Sequence, residues 1–265
     1  MAGLVRIRSS DQKRLRPIHP SAGLQIAYQR RLDRLIREMN RSLFYWLRAA
    51  YRNNTPEIAQ DASPARAILA AFRRVARRVQ STFNEAAAKL AGWFTASSKR
   101  HTDAAMKQSL KQAGYTVEFK LTPAMNDVLQ ATIAQNVSLI KSIASQHLTD
   151  VEGLVMRAVQ SGYDLKTLSD ELEKRFQLPR HRAELIARDQ TSKANSALVR
   201  LRQIESGIKK AQWLHSGAGH HPRPGHVKAS RDKLIYDVAK GAFIDNEYIF
   251  PGQLINCRCV SIPVI

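Results

Sequence analysis

The sequence predicts a mainly α protein: long amphipathic helices followed by a small C-terminal α+β unit with short antiparallel strands. Two observations carry this. Apolar residues recur at helical spacing from Leu24 to about Gly207, and beyond Gly207 the chain turns to short β-type runs separated by Gly- and Pro-rich loops. A hydrophobic content of 44% over 265 residues supplies a core for one or two domains. The chain reads as a basic N-terminal helical region (1–114), a helical body (115–207) and the small unit (208–265).

The first helix, 24–51, carries Tyr28, Leu32, Leu35, Ile36, Met39, Leu43, Trp46 and Leu47 as an apolar stripe, with Arg30, Arg31, Arg34, Arg37 and Arg41 among them. After the polar break NNTPEIAQDAS, Ser63 followed by Pro64 reads as an N-cap with proline at the first helical position. The next helix bears Ile68, Phe72, Val75, Val79, Phe83 and Leu90. Its pairs Arg73-Arg74 and Arg77-Arg78 sit one turn apart, with no glutamate nearby in sequence to neutralise them. A shorter helical stretch ends at Gly114, and TVEFKLT alternates like a brief strand. Thr122-Pro123 restarts helix through Val128, Leu129, Ile133, Val137, Ile140 and Ile143. Another helix covers 151–159, Asp164 can cap one bearing Leu168, Leu172 and Phe176, and Pro179 opens a long one closed by Gly207.

In the last part, AQWLHSG and DKLIYDV read as short strands, HSGAGHHPRPGH as a loop and FPGQL as a turn into a final strand. On that strand Cys257 and Cys259 would project to one face with Ile255, and Asn256 and Arg258 to the other. A unit of about sixty residues is near the size at which a metal, a disulfide or a neighbour is needed for stability. Two cysteines are too few for a disulfide scaffold, and a reducing compartment keeps them as thiols.

Charge is the strongest bulk signal: 42 Lys+Arg against 22 Asp+Glu, net +20. Before Gly114 there are 22 basic and 7 acidic residues, so most of the excess lies in the first region. Such a field suits nucleic acid, an acidic protein surface or anionic lipid; the alternative is an idle solvated face. The candidate DNA contacts are Arg30, Arg34, Arg37, Arg41, Arg73, Arg74, Arg77 and Arg78. No run has the apolar length of a membrane span, and MAGLVRIRSSDQKRLRP lacks the h-region of a secretory signal, which predicts a protein made in the cytoplasm or kept in a particle assembled there.

His215, His220, His221 and His226 lie within twelve residues of one another, ahead of Cys257 and Cys259. One reading is a structural zinc site formed by Cys257 and Cys259 with His226 or His215 or both. The other is a pair of buried thiols beside a hydrogen-bonded loop. A metal-dependent nuclease with His226 or His215 as general base would need carboxylates or an asparagine close to the histidines; between His215 and His226 there is none, and Asp232 and Asp237 are only loosely placed. Trp213, on a short strand, fits a core position better than a stacking platform. No P-loop, dinucleotide fingerprint, G-x-S-x-G or H-E-x-x-H pattern occurs, and no catalytic residue is assigned.

From about Thr122 onward four segments occur in order: NVSLIKSI, RAELIARDQTSKAN, QWLHSGAGHHPRPGHV and FPGQLINCRC. In these the sequence resembles the phage Mu F-like head morphogenesis family, and they single out Trp213, Arg223, Pro251, Gly252, Asn256 and Arg258 as motif positions. The resemblance implies a non-enzymatic, low-copy minor head protein of a bacteriophage virion. It implies a place in the capsid interior or at the portal vertex, reached from the host cytoplasm during assembly. Its partners would be the portal protein, the major capsid or scaffold protein and packaged double-stranded DNA, and it would assist assembly and DNA packaging or ejection. A sequence-nonspecific DNA-binding protein acting apart from capsids is the alternative, and a metal-dependent nuclease the next.

Overall fold

A computed structural model describes residues 13–53, 63–160, 165–217 and 221–265. Among them are helices α1 (Ala22–Asn53), α2 (Ser63–Gln112), α3 (Pro123–Gln160), α4 (Leu165–Arg175), α5 (Gln177–Glu205) and α6 (Pro224–Arg231). The strands are β1 (Lys210–Leu214), β2 (Ile235–Asp237), β3 (Ala242–Ile244), β4 (Glu247–Ile249) and β5 (Val260–Val264). This is the mainly α architecture with a small strand-bearing C-terminal region that the sequence predicts. No helix among the described residues is long and apolar enough to cross a membrane.

The long helices follow their apolar stripes. Tyr28, Leu32, Ile36, Met39, Leu43 and Leu47 return every three or four residues along α1, and all are buried. Trp46 falls one position off this stripe and is 43% exposed, so its expected place in the core is corrected. Its ring instead takes the Arg78 guanidinium at 5.9 Å. Two predicted breaks are also absent. The separate short helix before Gly114 is the last part of α2, and the helix over 151–159 is the last part of α3. No proline lies between Pro64 and Pro123, or between Pro123 and Pro179, so nothing removes a helical hydrogen bond at either point. α2 begins at Ser63 as expected; its cap side chain and that of Asp164 fall outside the described residues. Thr122 caps α3, its Oγ1 accepting from Met125 N at 3.1 Å.

The described parts of the chain divide into two compact units, one drawn from Met1–Gln25, Trp93–Ile133 and Arg188–Ile265, the other from Ile26–Gly92 and Ala134–Ala187. The second is helical. One of its buried polar contacts is the Tyr28 hydroxyl donating to Asn136 Oδ1 at 2.9 Å, between α1 and α3, where burial pushes the phenol well above its ordinary range.

The first unit holds the strands. β2, β1 and β5 form an antiparallel sheet in that order, with Gln212 opposite Ile235 and Trp213 opposite Ser261. Residues 13–15 lie along the free edge of β5: Lys13 N donates to Ile265 O and Leu15 N to Pro263 O, both at 2.9 Å, and Arg14 Nε reaches Gln212 Oε1 at 2.7 Å. A short N-terminal segment therefore covers an edge that would otherwise be unpaired. β3 and β4 form a hairpin whose turn residues, Asp245 and Asn246, both have positive φ, as a type I′ turn requires. TVEFKLT is not a strand. Val117 and Phe119 turn to a cluster containing Met106, Leu110 and Val199, but the segment pairs with no strand among the described residues.

At the centre of this unit Arg202 of α5 is fully buried. Its guanidinium donates Nε to Asp103 Oδ1 at 2.7 Å, Nη2 to Asp103 Oδ2 at 3.1 Å, Nη1 to Glu205 Oε2 at 2.6 Å and to Lys120 O at 3.0 Å, and it stacks over Phe119 at 4.5 Å. Burial works against the charge, but the two carboxylates outweigh it and hold the pKa above its ordinary value. Arg202→Met is expected to cost about 3–5 kcal/mol in urea unfolding, because it leaves Glu205 without its cation and Asp103 with Lys99 alone, 2.6 Å from its Oδ2. A loss below about 1 kcal/mol, the scale of an exposed ion pair, would show that water already reaches these carboxylates.

Candidate functional site

Pro224 starts α6 with its fixed φ, and Arg223 stands at the N-cap without making a side-chain cap. Arg223 Nη2 instead donates to Ile255 O at 3.1 Å, joining the start of α6 to the turn that precedes Cys257. Two residues into α6, His226 is buried, with 2% exposure. It therefore belongs to a helix rather than to the loop expected from HSGAGHHPRPGH.

Pro251 and Gly252 form the centre of a turn closed by Gln253 N donating to Phe250 O at 3.1 Å, with Gly252 at φ 82°. A proline followed by a positive-φ residue is the type II pattern. The turn lies tight on α5: a Cβ on Gly252 would come within 3.2 Å of Ser192 O and Ser196 Cβ, and 3.3 Å of Cys259 O. Further on, Asn256 adopts φ 60°, its N donates to Asp189 Oδ1 at 2.9 Å, and its Oδ1 accepts from Arg188 Nη2 at 3.1 Å. Asparagine tolerates this left-handed conformation better than most residues. Lys193 completes the group, 2.7 Å from Asp189 Oδ2.

These turns deliver the two thiols. Cys257 and Cys259 are each 4% exposed, and both sulfurs face His226 Nδ1, at 3.5 and 3.6 Å. They lie ahead of β5, not on it, because the pairing with β1 ends at Leu214 opposite Val260 and the next backbone N, of His215, turns to Ser230 Oγ. Ile255, expected on the same face as the sulfurs, is 66% exposed. Trp213 of β1 meets the His226 ring edge to face, with centroids 5.0 Å apart, and is fully buried; its core reading holds. Arg258 is half-buried.

His226, Cys257 and Cys259 are the one group of three or more His, Cys, Asp or Glu residues among the described residues whose ligand atoms all lie within 4.8 Å of each other. His215 does not join them. Its Nδ1 accepts from Gly217 N at 3.0 Å, while its backbone N donates to Ser230 Oγ. His220 lies outside the described residues and His221 is exposed. The thiols titrate as a pair. The hydrogen bond from Cys259 holds Cys257 below the usual thiol range against the effect of burial, with His226 adding to it, and that same interaction with burial pushes Cys259 up. Among the described residues, neither Asp232 nor Asp237 belongs to the cluster.

The eight candidate DNA contacts are all exposed, Arg30, Arg34, Arg37 and Arg41 on α1 and Arg73, Arg74, Arg77 and Arg78 on α2. One correction applies: Glu152 of α3, distant in sequence, lies 3.5 Å from Arg73 Nε. Both side chains are well exposed, so water screens most of this attraction. What sequence reasoning missed is the Arg188-Asp189 clasp on Asn256 and the buried Arg202. The i,i+3 spacing of Arg202 and Glu205 was the available signal.

Residues 149–262 match the family described as phage Mu protein F like protein. The chain is also similar to an uncharacterized protein of Haemophilus influenzae, at 30% identity over 267 residues, covering 99% of this chain and 58% of that protein. It therefore spans little more than half the length of this relative. No solved structure matches.

Gly252→Ala should lower stability by about 1–3 kcal/mol, the cost of a non-glycine residue held in an unfavourable backbone region. Gly92, in the interior of α2, is the opposite case, since a Cβ added there would meet no atom within 4 Å. Gly92→Ala should raise stability by roughly 0.5–1 kcal/mol. Urea midpoints of the two variants, moving in opposite directions, check the argument; a neutral Gly252→Ala would mean that the turn relaxes away from α5.

Proposed function

We propose that this chain, which carries a phage Mu F-like region over residues 149–262, is a minor head protein of a bacteriophage or prophage. Its role is structural: it joins the head during assembly near the portal vertex, contacts the portal and the major capsid or scaffold protein, and assists DNA packaging or ejection. The observation that carries the reading is the family match. It is supported by the way the matched segments meet, since RDQTSKAN supplies Arg188, Asp189 and Ser192 to the turns of FPGQLINCRC, while QWLH and RPGH supply Trp213 and His226 to its cysteines. Residues far apart in sequence are kept as one packed group.

Quantitative mass spectrometry of procapsids and mature particles tests this. The protein is expected in both, at far fewer copies than the major capsid protein. Its absence from both particle types would overturn the proposal.

Packaged DNA is the polyanion that the exposed arginines of α1 and α2 fit best. Seven of the eight, all but Arg73, are exposed and have no acidic partner among the described residues. Binding should be indifferent to sequence and fall with salt, each neutralised phosphate contributing a slope of about −0.9 in log K against log salt. Replacing Arg73, Arg74, Arg77 and Arg78 together by glutamine should flatten that slope by roughly 2–3 units. An unchanged slope would assign this face to an acidic protein surface or to solvent alone.

A further inference from the structure

We infer that His226, Cys257 and Cys259 form a zinc site, with His226 Nδ1 and the two thiolate sulfurs as ligands. The distances carry the inference. Zinc bound to sulfur at about 2.3 Å and to imidazole nitrogen at about 2.0–2.1 Å in a tetrahedron sets an N···S edge of about 3.6 Å and an S···S edge of about 3.8 Å. The two N···S separations are 3.5 and 3.6 Å, and all three atoms lie within 4.8 Å of one another. Cys-x-Cys would not bring its sulfurs together on an imidazole by strand geometry alone. The Asn256 turn, held by Arg188 and Asp189, and the Pro251-Gly252 turn, seated on α5, position them.

The chemistry of the set selects the ion. Two thiolates and an imidazole suit zinc and disfavour magnesium or calcium, which take oxygen ligands. All three side chains are at least 96% buried, and the Trp213 ring covers one side, so the site is a closed structural one in character. The fourth position falls to a water or to a donor other than His215, whose Nδ1 is already engaged by Gly217. Such an ion would link α6 to the segment entering β5, in a region whose strands are only three to five residues long. This goes beyond the head-protein reading and does not depend on it.

The test uses the full chain purified under reducing conditions without a histidine tag, loaded with zinc chloride and freed of excess metal. About one zinc per chain is expected by elemental analysis, as for a structural site that is filled on folding. Loading with cobalt in place of zinc should give thiolate-to-metal charge-transfer absorption and the intense visible bands of a tetrahedral ion. A chelator should lower the melting temperature and zinc should restore it. Cys257→Ser, Cys259→Ser and His226→Gln should each reduce bound zinc toward background, whereas His215→Gln should retain it. Should a variant fail to fold, the cobalt spectrum of the native sequence still decides the ligand set. Zinc-free protein after loading, cobalt absorption without a thiolate band, or full zinc retention in the doubly substituted Cys257→Ser, Cys259→Ser chain would each overturn the inference.

Discussion

The strand-bearing unit depends on a single buried cation. Arg202 reaches α2 through Asp103, the segment before α3 through Lys120 O and Phe119, and its own helix through Glu205. Glu205 in turn accepts from Thr122 Oγ1, the side chain that caps α3. One guanidinium thus fixes where α2 passes, where the connecting segment runs and where α3 begins. Such an arrangement is weak evidence of net stability, since an apolar replacement of similar shape can be as stable as a buried ion pair. Its contribution is register. A rigid fork with five donors satisfies two carboxylates and a carbonyl in one geometry, and lysine cannot reproduce that.

The helices were legible because periodicity is local. The stripe of α1 from Tyr28 to Leu47 could be read without knowing what it packs against, and it places the basic residues outward with no further information. The errors share a cause. Breaks were expected in α2 and α3 where the pattern weakens, yet no proline enforces one, and packing carries each helix on. TVEFKLT alternates, and its alternation does give the inward side of Val117 and Phe119. Alternation specifies faces; a strand also needs a partner, and none is adjacent.

The candidate site was half legible. That His226, Cys257 and Cys259 belong together could be suspected from residue types alone, and Trp213 from its setting in QWLH. Two features could not. The sulfurs converge because Asn256 takes a left-handed conformation, a choice enforced from α5 by Arg188 and Asp189, more than sixty residues earlier. His215 drops out because its imidazole turns to its own loop, a local competition that spacing does not reveal. The pairing of residues 13–15 with β5 was hidden for the same reason, since an edge strand of a few residues leaves almost no pattern.

The two readings of function rest on separate parts of the fold. The exposed arginines from Arg30 to Arg78 belong to the helical unit, whereas His226, Cys257 and Cys259 belong to the unit that holds the sheet. Their physics differs as well. A solvent-facing basic surface acts through screened, long-range attraction and needs no exact geometry, so it tolerates exchange among basic residues. A buried cluster of three side chains acts only at fixed distances and fails with one substitution. Sites with no shared partners have nearly additive effects, so charge substitutions should leave the thiol cluster untouched and cysteine substitutions should leave the proposed salt-dependent binding to DNA unchanged. A chain built in this way can present charge to a polyanion with one unit while the other stays tightly packed.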